Sequence, residues 1–295
     1  MKIYDCTTFY SEHMMYDLRL NILNENVDKF IVAEAKYSHS GIPKKLNFDI
    51  NNYPKFKDKI IYLVIDKEPE GIQKISNNDP DAPSVKRANS LKRIELSYNS
   101  MLEETSKADD DDLIILSDND EIPNLKSDDF VKSKKDLIAF KQLFFYYKFN
   151  LLYDRLTWFG SKACKKKKLL SLSWLNNLKT KKYPFWRLDT FFSKSKHINI
   201  DIINDGGWHF SHLMTPELLY EKLTNFGHHS EFEQSGLTLE DIKNKVNEKK
   251  VFYNHFADKT KGDNWNYDYL LKKVDNKILP EYLISNTNKY KKWLD

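Results

Sequence analysis

The run Leu113-Ile114-Ile115-Leu116 constrains the fold more than any other stretch, because four consecutive aliphatic residues lead straight into Ser117-Asp118-Asn119-Asp120-Glu121. Without polar alternation, such a run suits a strand buried on both faces, as in a parallel sheet covered by helices. The acids then fall at the carboxyl end of that strand, where open α/β sheets bind ligands. Ile3-Tyr4, Phe30-Ile31-Val32-Ala33 and Ile60-Ile61-Tyr62-Leu63-Val64-Ile65 read as three more buried strands. Met14, Met15, Leu18 and Ile22 recur at helical spacing between the first two, so the chain opens β-α-β. After a polar loop at 77–83, Ser84 is expected to cap a helix bearing Val85, Leu91, Ile94, Tyr98 and Met101. This alternation predicts a doubly wound α/β half.

Composition narrows the class. The chain has 295 residues, 40% of them apolar and 14% aromatic, which is enough to bury a large core and excludes disorder as the main state. A formal charge of only +4 falls short of a dedicated nucleic-acid binder, and no nucleic-acid-reading motif is present. The two cysteines, Cys6 and Cys164, are too few for a disulfide framework and point to a reducing compartment. No long apolar run or leader-like start appears, so a cytoplasmic protein is expected. Leu137 to Phe140 and Leu143 to Phe149 read as further strands, and Thr215-Pro216-Glu217 as a helix start with Gly227 as its stop. The expected organisation is one domain over 1–295, with a ligand-binding half at 1–125 and a less regular, helical half at 126–295.

Several residues are candidates for chemistry. Asp118 and Asp120 crowd like charges at one strand end, which calls for a cation; oxygen ligands suit Mg²⁺ or Mn²⁺ bridging to phosphates. Thr7 and Glu34 end strands on the same expected rim, where a base or ribose could lie across them, and Arg93 could clamp a phosphate. In Asp205-Gly206-Gly207-Trp208-His209-Phe210-Ser211, the glycines would permit close backbone approach, Trp208 would offer a flat face and His209 a metal or phosphate contact. His228, His229 and Glu231 form a possible acid/base group. The basic, leucine-containing stretch at 165–182 could lie on an anionic membrane, or be a solvated lysine face over a core helix.

Four blocks together resemble glycosyltransferase family 17, the family of the β-1,4-mannosyl-glycoprotein N-acetylglucosaminyltransferase and its microbial relatives. They are Ile3-Tyr4-Asp5-Cys6 with Glu12 and Leu18-Arg19-Leu20-Asn21; Val27 to Glu34 with Ser40-Gly41 and Pro43-Lys44; Asp112 to Pro123; and Gly206 to Ser211 with Lys222-Leu223 and His229-Ser230-Glu231-Phe232. The lysine-rich insert at 165–182 and the C-terminal segment depart from the family. The resemblance implies a GT-A type α/β fold, a UDP-sugar donor such as UDP-GlcNAc and inversion at the anomeric carbon. On that reading Asp118 and Asp120 hold Mn²⁺ or Mg²⁺ with His209 as an added contact, while Thr7, Glu34, Arg93 and Asp118 hold the nucleotide. Asp205 and Glu231 are the candidate general bases, and the acceptor is a glycan or lipid-linked glycan. A Mg²⁺-dependent nucleotidyltransferase and a non-catalytic glycan-binding protein are the alternatives.

Overall fold

A computed structural model describes residues 1–75, 81–256, 262–265 and 267–295. In chain order the first eleven strands are β1 (Ile3–Thr8), β2 (Lys29–Ala35), β3 (Ile60–Ile65), β4 (Leu113–Leu116), β5 (Glu121–Pro123), β6 (Leu137–Phe140), β7 (Leu143–Tyr146), β8 (Leu151–Leu152), β9 (Lys162–Lys165), β10 (Ile200–Ile203) and β11 (Gly207–Ser211). Seven form the main sheet in the order β10-β6-β9-β4-β1-β2-β3. β9 runs antiparallel to β4 and β6, and the other neighbours are parallel. The chain runs outward from β1 to β3 and then returns to place β4 on the other side of β1. The crevice at the carboxyl ends of β1 and β4 is therefore the topological switch point.

The unbroken apolar strands are explained by cover on both faces. Leu113 and Ile115 belong to one core cluster and Ile114 and Leu116 to another, as do Phe30 and Val32 against Ile31 and Ala33. The His13–Leu23 helix covers the first face and the Ala82–Asn99 and Leu172–Asn176 helices the second. The fold is a mixed α/β one with a mostly parallel central sheet flanked by helices, as expected.

A second sheet has the order β8-β7-β11-β5, with a short strand at Lys272–Lys273 outside β8. Only Ser117 to Asp120 connects β4 in the first sheet to β5 in the second, so this acidic tetrapeptide lies at the junction of the two sheets. The helices Pro216–Asn225, His229–Ser235 and Leu239–Asn247 pack beyond it.

Local readings are corrected in places. The second helix starts at Ala82, with Pro83 in its first turn, so Ser84 lies inside it rather than capping it; of the 77–83 loop, residues 77–80 lie outside the described residues. β7 stops at Tyr146 because Tyr147 takes φ +62°, a left-handed conformation that ends a strand. Gly207–Ser211 is a buried strand rather than a turn, with Gly206 just before it. Gly207 has φ +118°, and a Cβ there would collide with the Ile122 carbonyl of the adjoining strand. Trp208 is buried, and its indole donates to the Ile278 carbonyl at 2.7 Å. Within the 165–182 stretch, Lys165, Lys166 and Lys167 pair with Asp110, Asp111 and Asp136 and Leu172, Leu175 and Leu178 are buried in the core, while Leu170 and the lysines from Lys179 onward are exposed. Among the described residues no helix is long and apolar enough to cross a membrane.

Candidate active site

Period-two geometry decides which residues of β11 reach the sheet junction. Trp208 and Phe210 enter the core, so His209 and Ser211 face the opposite side, where a cleft of about 620 Å³ opens. Asp118, Asn119, Asp120, His209 and Lys222 all line it. Register brings His209 opposite Glu121, and the Phe210 amide donates to the Asp120 carbonyl at 2.8 Å. The His209 ring stacks on Phe144 at 4.4 Å and packs against Trp158 at 4.7 Å. Trp158, rather than Trp208, is the indole beside His209.

The acidic loop is shaped from behind by a buried ion pair. Arg19, on the first helix, donates from Nε and Nη2 to both oxygens of Asp5 at 2.7 and 2.5 Å, and both side chains are 0% exposed. Its remaining nitrogen, Nη1, donates to the carbonyls of Glu121 at 2.6 Å and Asp118 at 3.3 Å. A planar guanidinium has the donors to grip a carboxylate and two carbonyls together. The loop is held a second way by Glu121, whose carboxylate accepts from the Asp118 amide at 3.0 Å and the Trp158 indole at 2.6 Å.

The two cleft aspartates lie in opposite fields. Asp120 has His209 Nε2 at 3.6 Å and Lys222 Nζ at 3.9 Å. Burial opposes its ionisation, but His209, Lys222 and His212 outweigh it and hold the carboxyl well below the usual range. Asp118 faces the cleft; enclosure by the walls, then Glu121 and Asp120, push its carboxyl up to about 7, against the hydrogen bond from the Tyr98 hydroxyl at 2.8 Å. Lys222 keeps its proton despite burial because Asp120, Glu12 and Asp118 raise its affinity for it. His212 is held neutral, chiefly by burial and then by Lys222. The Asn119 amide and His209 Nδ1 are buried with no protein partner, which leaves polar atoms at the cleft for a ligand.

The donor set suits a hard divalent ion in kind. Two carboxylates two positions apart, with one imidazole nitrogen beside them, make an oxygen-rich donor set, and the like-charge crowding at Asp118 is what a cation relieves. Among the described residues no three acidic, histidine or cysteine groups already converge as a cage, so phosphate or water oxygens would have to complete the coordination.

Other expected site residues sit elsewhere. Glu34 is buried and its carboxylate is fully engaged by Lys44, the Asn47 and Phe48 amides at 2.8 and 3.0 Å and the Tyr62 hydroxyl at 2.9 Å; it fastens the loop after β2 instead of facing the cleft. Arg93 ties that loop, through the His39 carbonyl at 3.1 Å, to the loop after β3, through Glu68 at 2.7 Å. Thr7 is buried in β1, and it is Thr8 that reaches the cleft wall. Asp205 is outside the cleft, where it accepts from Asn124 at 3.0 Å beyond the far end of β11. Glu231 stands just behind the wall, 3.1 Å from Nδ1 of the lining residue His228 and 3.7 Å from Arg87. Sequence reasoning assigned no role to Lys222, Tyr98 or Trp158; for Lys222 the signal was its place in the well-capped helix that follows β11.

A switch-point crevice with acids at the end of a parallel strand belongs to the class of α/β enzymes that work on ligands bound across strand ends. The chain belongs to glycosyltransferase family 17, which matches over residues 1–295, and is an enzyme that transfers a sugar from a nucleotide-sugar donor to a glycan acceptor. No curated protein matches it. Among solved structures it is similar to the inositol-1-phosphate CTP transferase from T. maritima, with 11% identity, a TM-score of 0.34 and coverage of 78% of this chain and 96% of that one.

Proposed function

We propose that the protein is an inverting glycosyltransferase of the GT-A kind, moving N-acetylglucosamine from UDP-GlcNAc to a hydroxyl of a free or lipid-linked glycan. The observation that supports this best is the pairing, in one cleft, of the Asp118 and Asp120 carboxylates with the Lys222 ammonium. Mn²⁺ or Mg²⁺, held by Asp118, Asp120 and His209, would supply charge neutralisation for a diphosphate. Lys222 adds a fixed positive charge of its own beside the leaving group, and the unpartnered Asn119 amide and Trp158 ring offer polar and stacking contacts to donor or sugar.

Inversion requires one displacement. The acceptor oxygen bonds to the anomeric carbon while the bond from that carbon to the β-phosphate oxygen breaks, and UDP leaves with the electron pair. The acceptor proton goes to His228 on the cleft wall, whose Nδ1 is held by Glu231. Burial opposes ionisation of Glu231, but His228, the helix-start amide and Arg87 hold its carboxyl below the ordinary range, ready to stabilise an imidazolium.

The test is turnover of labelled UDP-GlcNAc with Mn²⁺ on a glycan array, with product stereochemistry read by NMR. UDP release is expected, lost with chelator and restored by Mn²⁺. Lys222→Gln should lower kcat/KM about a hundredfold. His228→Gln should lower kcat about a hundredfold or more with UDP binding retained. Pyrophosphate release, or a product of retained configuration, would overturn the proposal.

A further inference from the structure

The strongest feature outside the cleft is the segment that follows the Leu172–Asn176 helix. Its neck is closed: the Lys179 amide donates to the Ser195 carbonyl at 2.8 Å, and the Trp174 indole donates to the Lys194 carbonyl at 2.5 Å. Between these anchors the chain projects outward, and Phe185, Trp186, Leu188 and Phe192 are 76%, 67%, 71% and 91% exposed. Phe185 and Trp186 pack edge to face at 5.1 Å and offer a preformed aromatic tip rather than two independent side chains. Exposed large apolar groups clustered in this way mark an interaction surface.

The charge around the tip selects the partner. Residues 179–196 contain six cations, Lys179, Lys181, Lys182, Arg187, Lys194 and Lys196, against the single carboxylate of Asp189. Asp189 is taken by Arg187 at 2.8 Å and Lys196 at 2.9 Å, and its carboxyl is held well below the usual range by them. The exposed Lys179, Lys181, Lys182 and Lys194 have no ion-pair partner among the described residues, in contrast to Lys165 to Lys167, which face Asp110, Asp111 and Asp136. Exposed bulky aromatic and aliphatic side chains flanked along the chain by unpaired lysines match a bilayer with anionic headgroups, where the rings enter the headgroup boundary and the lysines meet the phosphates.

We infer that the 179–195 projection is a membrane-docking loop that attaches the protein reversibly to anionic lipid surfaces, through Phe185, Trp186, Leu188 and Phe192 with Lys179, Lys181, Lys182 and Lys194. The inference does not depend on the sugar or acceptor, and its readout is binding, not turnover.

Cosedimentation of the full chain with vesicles of phosphatidylcholine alone, and of equal parts phosphatidylcholine and phosphatidylglycerol, tests it. Binding is expected to the anionic vesicles at low salt, with most of it lost at about 0.5 M salt as screening shortens the reach of the lysines. Trp186→Ser with Phe192→Ser, and separately Lys181→Glu with Lys182→Glu, should each lower partitioning about tenfold or more. The far-UV spectrum, the thermal midpoint and UDP-GlcNAc turnover should stay at wild-type level. Absence of binding to anionic vesicles, equal binding to neutral ones, or wild-type partitioning by the Trp186→Ser/Phe192→Ser protein would overturn the inference. Self-association in sedimentation velocity that this same variant abolishes would assign the tip to a second copy of the chain and also overturn it.

Discussion

Two positions apart in the chain, Asp118 and Asp120 are driven in opposite directions: burial, reinforced by anionic neighbours, raises the first, while His209 and Lys222 outweigh burial at the second. Residue type alone marked both as acids at a strand end, and that much was legible because an apolar run ending in carboxylates has few other uses. Their different fields were not legible, since Lys222 arrives from a helix a hundred residues further on. Glu34 shows the converse. A glutamate ending a buried strand resembles a ligand contact, but four donors from its own neighbourhood consume its lone pairs. The same scale yields a pH prediction at Lys162, which is 8% exposed and whose ammonium donates a hydrogen bond to the Asn176 carbonyl. Burial lowers its amine to about 8. Between that value and the ordinary lysine pKa of about 10.4, the unfolded chain binds more protons than the folded one, so this group's contribution to stability rises with pH through that window. The unfolding free energy of wild type minus that of Lys162→Met, measured in urea from about pH 7 to pH 10, should climb by up to roughly 3 kcal/mol. A flat difference would show that the amine titrates normally.

Elements were legible where burial on both faces forces a continuous apolar run. β4 and β6 were read at the residues where they occur for that reason, and β3 was read at its residues too, although it lies at the sheet edge and is only partly buried, with Val64 exposed. β11 was not, since Gly206-Gly207 reads locally as a turn; the glycines are there because neighbouring backbone leaves no room for a Cβ at either position. The second sheet as a whole escapes a local reading, because β11 must find β5 and β7 across some 60 to 90 positions of sequence. What joins the two sheets at the site is Arg19, and it separates stability from positioning. Arg19→Met leaves Asp5 charged and buried without its partner and should cost about 3–5 kcal/mol in urea unfolding. Arg19→Lys keeps a charge for Asp5 but lacks the fork that also holds the Asp118 and Glu121 carbonyls. It should recover part of the stability while transfer activity stays depressed, and a Lys variant with wild-type turnover would show that the carbonyl contacts do not shape the loop.

At the scale of the molecule, the main sheet is sealed by helices and by the second sheet, so its interior opens only when the whole structure does. Cys6 and Cys164 report on this directly: both are fully buried, burial pushes the Cys6 thiol well above its ordinary range and the Cys164 thiol to about 12. Both should resist alkylation in the native state, and the denaturant dependence of their labelling should match that of global unfolding. Labelling at rates independent of denaturant would mean that the sheet opens locally. The sequence by itself determined the α/β class, the parallel strands of the first half, the acids at the end of β4 and the family, because these depend on runs and spacings that burial imposes locally. Tertiary structure decided which charged groups share the cleft, that Glu34 and Arg93 fasten a loop, that Asp205 lies outside, and that Leu172, Leu175 and Leu178 are core while Leu170, Phe185 and Trp186 are surface. Each of those outcomes depends on which distant segment arrives as a neighbour, and a side chain's hydrogen bonds, charge and exposure are set by that neighbour.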